Sequence, residues 1–188
     1  MPIVKGEDAE KEGVVEVAKL MLVSARTAPK SGGKDDIQTL LITGEEKNAL
    51  AAEMEKVGAE RNIEGFKRDG GNVRDSEVVV LIGVRGTRKF DMNCGACGYR
   101  DCVEFEKAEK KLGQDFIGPN CLFKVLDMGI ALGSAAKMAM ISNVDNRIMY
   151  RLGVAAKRIG LLPESSIIMG IPLSAKGKSI YFDRPVKA

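Results

Sequence analysis

Apolar and polar residues alternate along this chain in two distinct periods. Between residues 7 and 28, Val14, Val17, Ala18, Met21 and Ala25 recur at steps of three and four, which puts them on one face of a helix. Pro29 ends that helix, because its ring pushes the preceding residue out of the α region. A polar, glycine-bearing loop at 30–36 leads to a short apolar run at 37–43 (IQTLLIT), the pattern of a buried strand. Thr43, Gly44, Glu45 and Glu46 fit a capping box that opens a helix to about residue 62, with Leu50, Met54 and Val57 facing inward. In 63–77 the cluster Gly70-Gly71-Asn72 predicts a break in any helix and a turn at Arg74-Asp75-Ser76.

The run VVVLIGV at 78–84 is the strongest strand signal, a continuous β-branched stretch expected of a central strand covered on both faces. Two helices are expected at 122–142 and 146–159, the second capped by Asn143 or Asp145 and ended by Gly160 and Pro163. A third strand at 165–171 (SSIIMGI) precedes Pro172 and a polar tail through Tyr181, Phe182, Asp183 and Arg184. The order predicts an α+β (α/β layered) protein: a single α/β domain over 1–188, with residues 90–122 inserted between a core strand and a core helix.

Composition narrows the function. Lys and Arg total 29 against 26 Asp and Glu, a net charge of +3, and no segment concentrates the basic residues. Nucleic acid is therefore not an expected partner, since its recognition needs a clustered positive field, and with no Trp and few other aromatics there is no base-stacking platform. The absence of histidine excludes His-based triads, Cys–His dyads and His-ligated zinc. The most apolar stretch, 125–141, carries Asp127 and Lys137 and is rich in Gly, Ala and Ser, so a tightly packed core helix is expected rather than a membrane span. The N-terminus MPIVKGEDAEKEG lacks the apolar region of a signal peptide, which gives a cytoplasmic expectation with no membrane partner. There, thiols stay reduced.

The four cysteines, Cys94, Cys97, Cys102 and Cys121, share one spacing, C-x2-C-x4-C-x18-C, and none lies elsewhere. Three close thiolates and one remote one is a ligand pattern of a [4Fe–4S] cluster. Gly95 and Gly98 each follow a cysteine, where they permit positive φ and let backbone N–H groups face the sulfurs. Lys89, Arg88 and Arg100 are expected to add positive field, Val103, Phe105 and Leu112 an apolar shield, and Gly118-Pro119 the turn returning the last ligand. A structural zinc held by the same four thiolates is the alternative, although zinc sites pair C-x2-C with a second close pair.

The run CGACGYRDC at 94–102 with Cys121 resembles the small [4Fe–4S] domain of Rnf-type electron-transport subunits and corrinoid iron–sulfur proteins. Together with ARTAPK at 25–30, VLIGV at 80–84, GPNC at 118–121, NVDNRIMY at 143–150 and GIPLS at 170–174, it gives the whole chain a resemblance to an uncharacterised prokaryotic family of ferredoxin-domain-containing proteins. Separately, ARTAPKSGGK at 25–34 followed by Gln38 is similar to the FMN-touching loop of nitroreductase-like flavoproteins, and 154–161 and GIP at 170–172 match that family's later landmarks. That resemblance implies a nitroreductase-like mixed sheet covered by helices, an FMN cofactor and a homodimer. On it, Arg26, Lys30, Ser31, Gly32, Lys176 and Lys178 are the candidate flavin residues, a phosphate wanting cations and backbone donors. The departures are an absent R-R-S-x-R start, an inserted Lys30 and the missing Asn and Pro-Trp; the competing reading is a helix C-terminal turn with solvated charges.

Two functions follow. One is an iron–sulfur redox or electron-transfer protein, flavin-linked if FMN binds, serving a redox partner protein or a small-molecule electron acceptor. The other is a non-enzymatic partner-binding protein with a structural four-cysteine zinc site.

Overall fold

The computed structural model describes residues 3–182, so the tail residues Asp183 and Arg184 lie outside the described part. The chain runs α1 (Gly6–Thr27), a 3-10 turn (Ser31–Gly33), β1 (Ile37–Ile42), α2 (Gly44–Arg61), α3 (Glu64–Arg74) and β2 (Val78–Val84). It continues through α4 (Cys102–Lys107), a hairpin of the two-residue strands β3 (Lys111–Leu112) and β4 (Ile117–Gly118), α5 (Leu122–Ile141), β5 (Asp145–Asn146), α6 (Tyr150–Arg158) and β6 (Ile167–Ser174). The main sheet has the order β1-β2-β6-β5. Its pairings are antiparallel at every described step, where the resemblance implied mixed directions, because each connection returns the chain to the sheet on the reverse course.

All seven residues of β2 are buried, and their period-2 alternation splits the interior into two cores. Val78, Val80, Ile82 and Val84 face Val14, Ala18, Met21 and Ala25 of α1 and Met128, Ala131 and Ala135 of α5. Val79 and Leu81 face Leu50, Ala51 and Met54 of α2 and Leu152, Ala155 and Ala156 of α6. The continuous apolar run thus reflects two-sided cover, as its sequence implied, in an antiparallel setting.

Four local expectations change. The helix break at Gly70-Gly71-Asn72 does not occur: α3 runs through it because Gly70 is pressed on α2, where a Cβ would lie 3.1 Å from the Ala51 carbonyl oxygen. Thr43 makes no cap hydrogen bond, since Gly44 turns the chain at φ 59° before α2 is established. Asn143 and Asp145 cap nothing. The backbone of Met149 exchanges both hydrogen bonds with Gly170, and Asp145 and Asn146 pair with Ser174 and Leu173, so 145–149 extend the sheet and α6 starts late. Pro172 does not end β6. Gly170 points its N–H and carbonyl away from β2, so Pro172, two residues on, has its missing N–H on that same side and the β2 ladder is unbroken. Among the described residues no helix is long and apolar enough to cross a membrane.

Candidate metal centre

Residues 85–121 leave the sheet at the end of β2 and return at the start of α5. The two ends are tied together: the Cys121 N–H donates to the Gly86 carbonyl at 2.8 Å, and Ser166 Oγ accepts from the Gly86 N–H at 2.9 Å while donating to Asn120 Oδ1 at 2.6 Å. A Cβ at position 86 would stand 2.3 Å from Asn120 Oδ1 and 2.8 Å from Ser166 Oγ, so any larger residue must displace this hydrogen-bonded pair.

Within the segment each thiol has a distinct setting. Asn93, at φ 54°, donates its N–H to Cys102 Sγ at 3.3 Å, and its side-chain oxygen accepts from the Cys102 N–H at 2.9 Å. Gly95 and Gly98 have φ of 69° and 89°, and the Gly98 N–H closes a turn on the Gly95 carbonyl rather than facing a sulfur. Asp101 caps α4 by accepting from the Glu104 N–H at 2.8 Å; that bond, with Arg100 beside it, holds its carboxyl below the usual range. Cys102 is the first residue of α4, and Cys121 is the N-cap of α5. Both are buried, whereas Cys97 is half-buried and Cys94 exposed; all four are free thiols.

Phe90, Phe105 and Cys121 form a small buried cluster against which Cys97, Tyr99 and Phe123 pack. Phe90 stacks on Phe123 at 5.2 Å and Tyr99 meets Phe105 edge-on at 5.7 Å. The structure therefore brings Cys97 and Cys121 to one aromatic wall and places Cys102 one helical turn before Phe105. Among the described residues no group of three or more Cys, Asp or Glu side chains is set closely enough to hold a metal ion.

The expected surroundings need correcting. Val103 and Leu112 are exposed, so the apolar wall is aromatic and draws on Phe90 and Phe123 from either side of the cysteine run. Arg100 is paired with Asp101, Lys89 with Asp91 and Glu106, and Arg88 with Asp36, which neutralises each expected cation. Lys110 takes their place, lying over the Phe105 ring at 3.9 Å and donating to the Phe105 carbonyl. Burial pushes its ammonium below the usual lysine range, against the opposing pull of the nearby Cys97 and Glu106.

The start of α5 beside the segment is tied to the 31–36 loop, and the segment itself is fixed to the helices at its hairpin. Lys124, buried in the first turn of α5, pairs with Asp36 at 2.5 Å, and Asp127 accepts from the Ser31 N–H and hydroxyl at 2.9 and 2.8 Å. At the hairpin tip Arg61 pairs with Asp115 at 2.5 Å, and the Tyr150 hydroxyl donates to Asp115 at 2.8 Å. Burial and this carboxylate push Tyr150 up to about 12. Phe116 meets the Tyr150 ring edge-on at 5.2 Å. Nothing periodic marks Asp115 or Tyr150 in the sequence, so this clamp is invisible there.

The six candidate flavin residues do not come together in the single chain. Arg26, Lys30, Ser31 and Gly32 lie beside the start of β1, while Lys176 and Lys178 follow the end of β6, which is the opposite end of the sheet. Lys30 caps α1, donating to the carbonyls of Ala25, Arg26 and Ala28, because those C-terminal carbonyls lack helical partners. Arg26 pairs with Asp35 and donates to the Ile37 carbonyl, and Lys176 donates to the Asp75 carbonyl. The helix-terminus reading accounts for Lys30.

Comparison with known proteins adds three findings. Residues 117–184 match the family model described as "Uncharacterized protein containing a ferredoxin domain", a stretch that includes Cys121 and not the other three cysteines. An uncharacterized protein of Archaeoglobus fulgidus is 49% identical over 181 residues, 96% of this chain and 97% of that protein. Among solved structures, the nitroreductase CinD from Lactococcus lactis in complex with chloramphenicol has a TM-score of 0.57 at 15% identity, covering 98% of this chain and 84% of its own. An oxidoreductase containing FMN has a TM-score of 0.55 at 11% identity, covering 95% and 70%. At these identities the likeness is one of fold: a nitroreductase-like arrangement of helices and sheet.

Proposed function

We propose that this chain, which belongs to the family of uncharacterized proteins containing a ferredoxin domain, is an electron-transfer protein whose four cysteines hold a [4Fe–4S] cluster. The observation that carries the reading is the gathering of the thiols in one segment, with Cys97 and Cys121 on a common aromatic wall and Cys102 already hydrogen-bonded through its sulfur. The donor set fits: four thiols, no histidine and an apolar flank. Such a group supplies reversible one-electron transfer when bound.

The chain's own residues set the conditions for it. The Asn93 N–H places a donor on Cys102 Sγ, and the N-terminus of the 20-residue α5 favours negative charge at Cys121. Lys110 adds a partly covered cation next to Cys97. Phe90, Phe105 and Phe123 keep water from the inner side, while exposed Cys94 marks the side a redox partner protein or small-molecule acceptor approaches.

FMN is not part of the proposal. Its expected ligands stand at two ends of the sheet, with Arg26, Lys30 and Lys176 engaged by carboxylates or carbonyls, so the residues present do not fit a flavin in the single chain.

Anaerobic purification, iron and sulfide assay and an absorption spectrum test the reading. Iron and acid-labile sulfide in equal amounts, with bleaching on reduction, are expected. Stoichiometric zinc without labile sulfide would overturn it in favour of a structural site, and flavin released on denaturation would show that FMN is held by a residue set other than these six in one chain.

A further inference from the structure

Beside the hairpin tip that Asp115 anchors lies a cavity of about 350 Å³, lined by Arg61, Ile63, Phe66, Asp115, Tyr150 and Arg151. The redox reading makes no use of it. Its walls are of two kinds. Ile63 and the rings of Phe66 and Tyr150 are apolar, while the guanidiniums of Arg61 and Arg151 stand over the Phe66 ring, 5.7 and 5.8 Å from its centre.

The charges around the cavity do not cancel. Arg61 is matched by Asp115, but Arg68 and Arg151 share the single carboxylate of Asp69, so three cations face two anions. Arg151 is the underused member. Arg68 holds Asp69 Oδ1 through two nitrogens, at 2.9 and 2.7 Å, which leaves Arg151 one bond, from Nη1 to Oδ2 at 2.9 Å. Among the described residues its Nε and Nη2 have no carboxylate partner, although a guanidinium offers five donors in a planar fork.

The local backbone favours an anion at that unused edge. α3 begins there, and Ile63 at its N-cap supplies no side-chain acceptor, so the first N–H groups of this 11-residue helix add positive potential. Glu64, the acid of the first turn, faces solvent and pairs with Lys67 instead. Gly65 lets Arg151 lie against this turn: a Cβ there would stand 2.6 Å from Cζ, 2.8 Å from Nη2 and 3.0 Å from Nε. A cation seated at the positive end of a helix is unfavourable by itself. An anion between the two reverses the sign.

We propose that this cavity binds a small organic monocarboxylate. The carboxylate takes Nε and Nη2 of Arg151 as a planar two-bond pair beside the α3 N-terminus. Its apolar body lies along Ile63, Phe66 and Tyr150. One surplus positive charge suits one carboxylate, whereas a phosphate dianion would leave excess negative charge next to Asp115. Asp115 limits the affinity, because it lines the same cavity and carries the same charge as the ligand. The opposition is reciprocal. A ligand weakened by Asp115 weakens the hold of Asp115 on Arg61 and Tyr150, so occupancy of the cavity is felt at the tip of the cysteine-bearing segment.

Amide NMR of the full-length protein during titration with benzoate tests this. The site lies apart from the thiols and is open to test whichever metal they hold, so its failure and that of the redox reading are separate results. Saturable shifts in residues 61–66 and 150–151 are expected at millimolar benzoate, and none with benzyl alcohol, which keeps the ring and lacks the charge. Arg151→Lys keeps a cation for Asp69 but loses the fork, and the dissociation constant should rise at least about tenfold. Asp115→Asn removes the like charge and should tighten binding a few-fold. If the lysine variant does not fold, Gly65→Ala decides, since its Cβ displaces the guanidinium and should weaken binding likewise. A wild type without saturable shifts, benzyl alcohol or phosphate bound as tightly as benzoate, or unchanged affinity in the Arg151 or Gly65 variant overturns the proposal. Binding no tighter in Asp115→Asn overturns the link to the hairpin.

Discussion

β2 and the segment that follows it are neighbours in sequence and opposites in how they are held. β2 keeps all seven residues out of water, with a core on each face. The next stretch has a six-residue helix, a hairpin of two-residue strands, exposed Met92, Val103 and Leu112, and one aromatic cluster. The first is ordered by apolar burial, which needs no ligand. The second relies on side-chain-to-backbone bonds and ion pairs, which are individually weak, so its order is open to coupling with whatever the thiols bind.

Three changes would break or sharpen that contrast. The largest effect is expected from Gly153→Ala in the sheet-facing side of α6, whose Cβ would stand 1.8 Å from the Ile168 carbonyl oxygen. The strand cannot yield without disturbing both cores, so a cost on the order of 4 kcal/mol is expected. Denaturant unfolding should show it as a lowered global midpoint; a purely local rise in hydrogen exchange would mean that the cores are not one cooperative unit.

Phe105→Ala should act differently. It removes a fully covered ring from the aromatic cluster, and about 3 kcal/mol of local stability should go with it. Amide exchange in 93–121 is expected to accelerate by a hundredfold or more while β2 keeps its protection. Equal loss in both places would erase the distinction between the regions.

The smallest effect tests the bridge between them. Asp115→Ala leaves Arg61 and Tyr150 without their carboxylate and is expected to cost about 1–2 kcal/mol. The same clamp carries a pH signature. Tyr150 is raised from an ordinary 10 to about 12, so its contribution is complete below pH 10 and is lost as pH rises through about 12. In a spectrophotometric titration Tyr150 and the buried Tyr181, whose hydroxyl is pushed up by burial, should both be late, and only Tyr150 should move back toward 10 in the Asp115→Ala variant.

What could be read beforehand follows the same division. Strands and long helices of the scaffold were legible because two-sided burial writes itself as VVVLIGV and one-sided burial as the 14–25 stripe. Gly70 misled, because a glycine that admits a neighbouring helix looks the same in sequence as one that ends its own. Asn143 and Asp145 misled because capping residues also suit the turn before an edge strand. In the cysteine segment the spacing identified the donors, but not their surroundings. The expected cations are cancelled by partners such as Asp36, distant in sequence, and Lys110, the cation over the Phe105 ring, sits in a run of charges that reads as solvated.

The hydrogen bond between the Cys121 N–H and the Gly86 carbonyl has a topological consequence. Residues 87–120 form a loop whose ends are already fastened by the sheet and by Ser166, so the entropy of bringing those ends together is charged to the scaffold. To the remainder of the molecule the loop is attached at its fastened ends, at the Arg88–Asp36 pair and at the Asp115 clamp with Phe116. The stretch between those points can therefore rearrange around a ligand while the strand and helix that flank it stay in register.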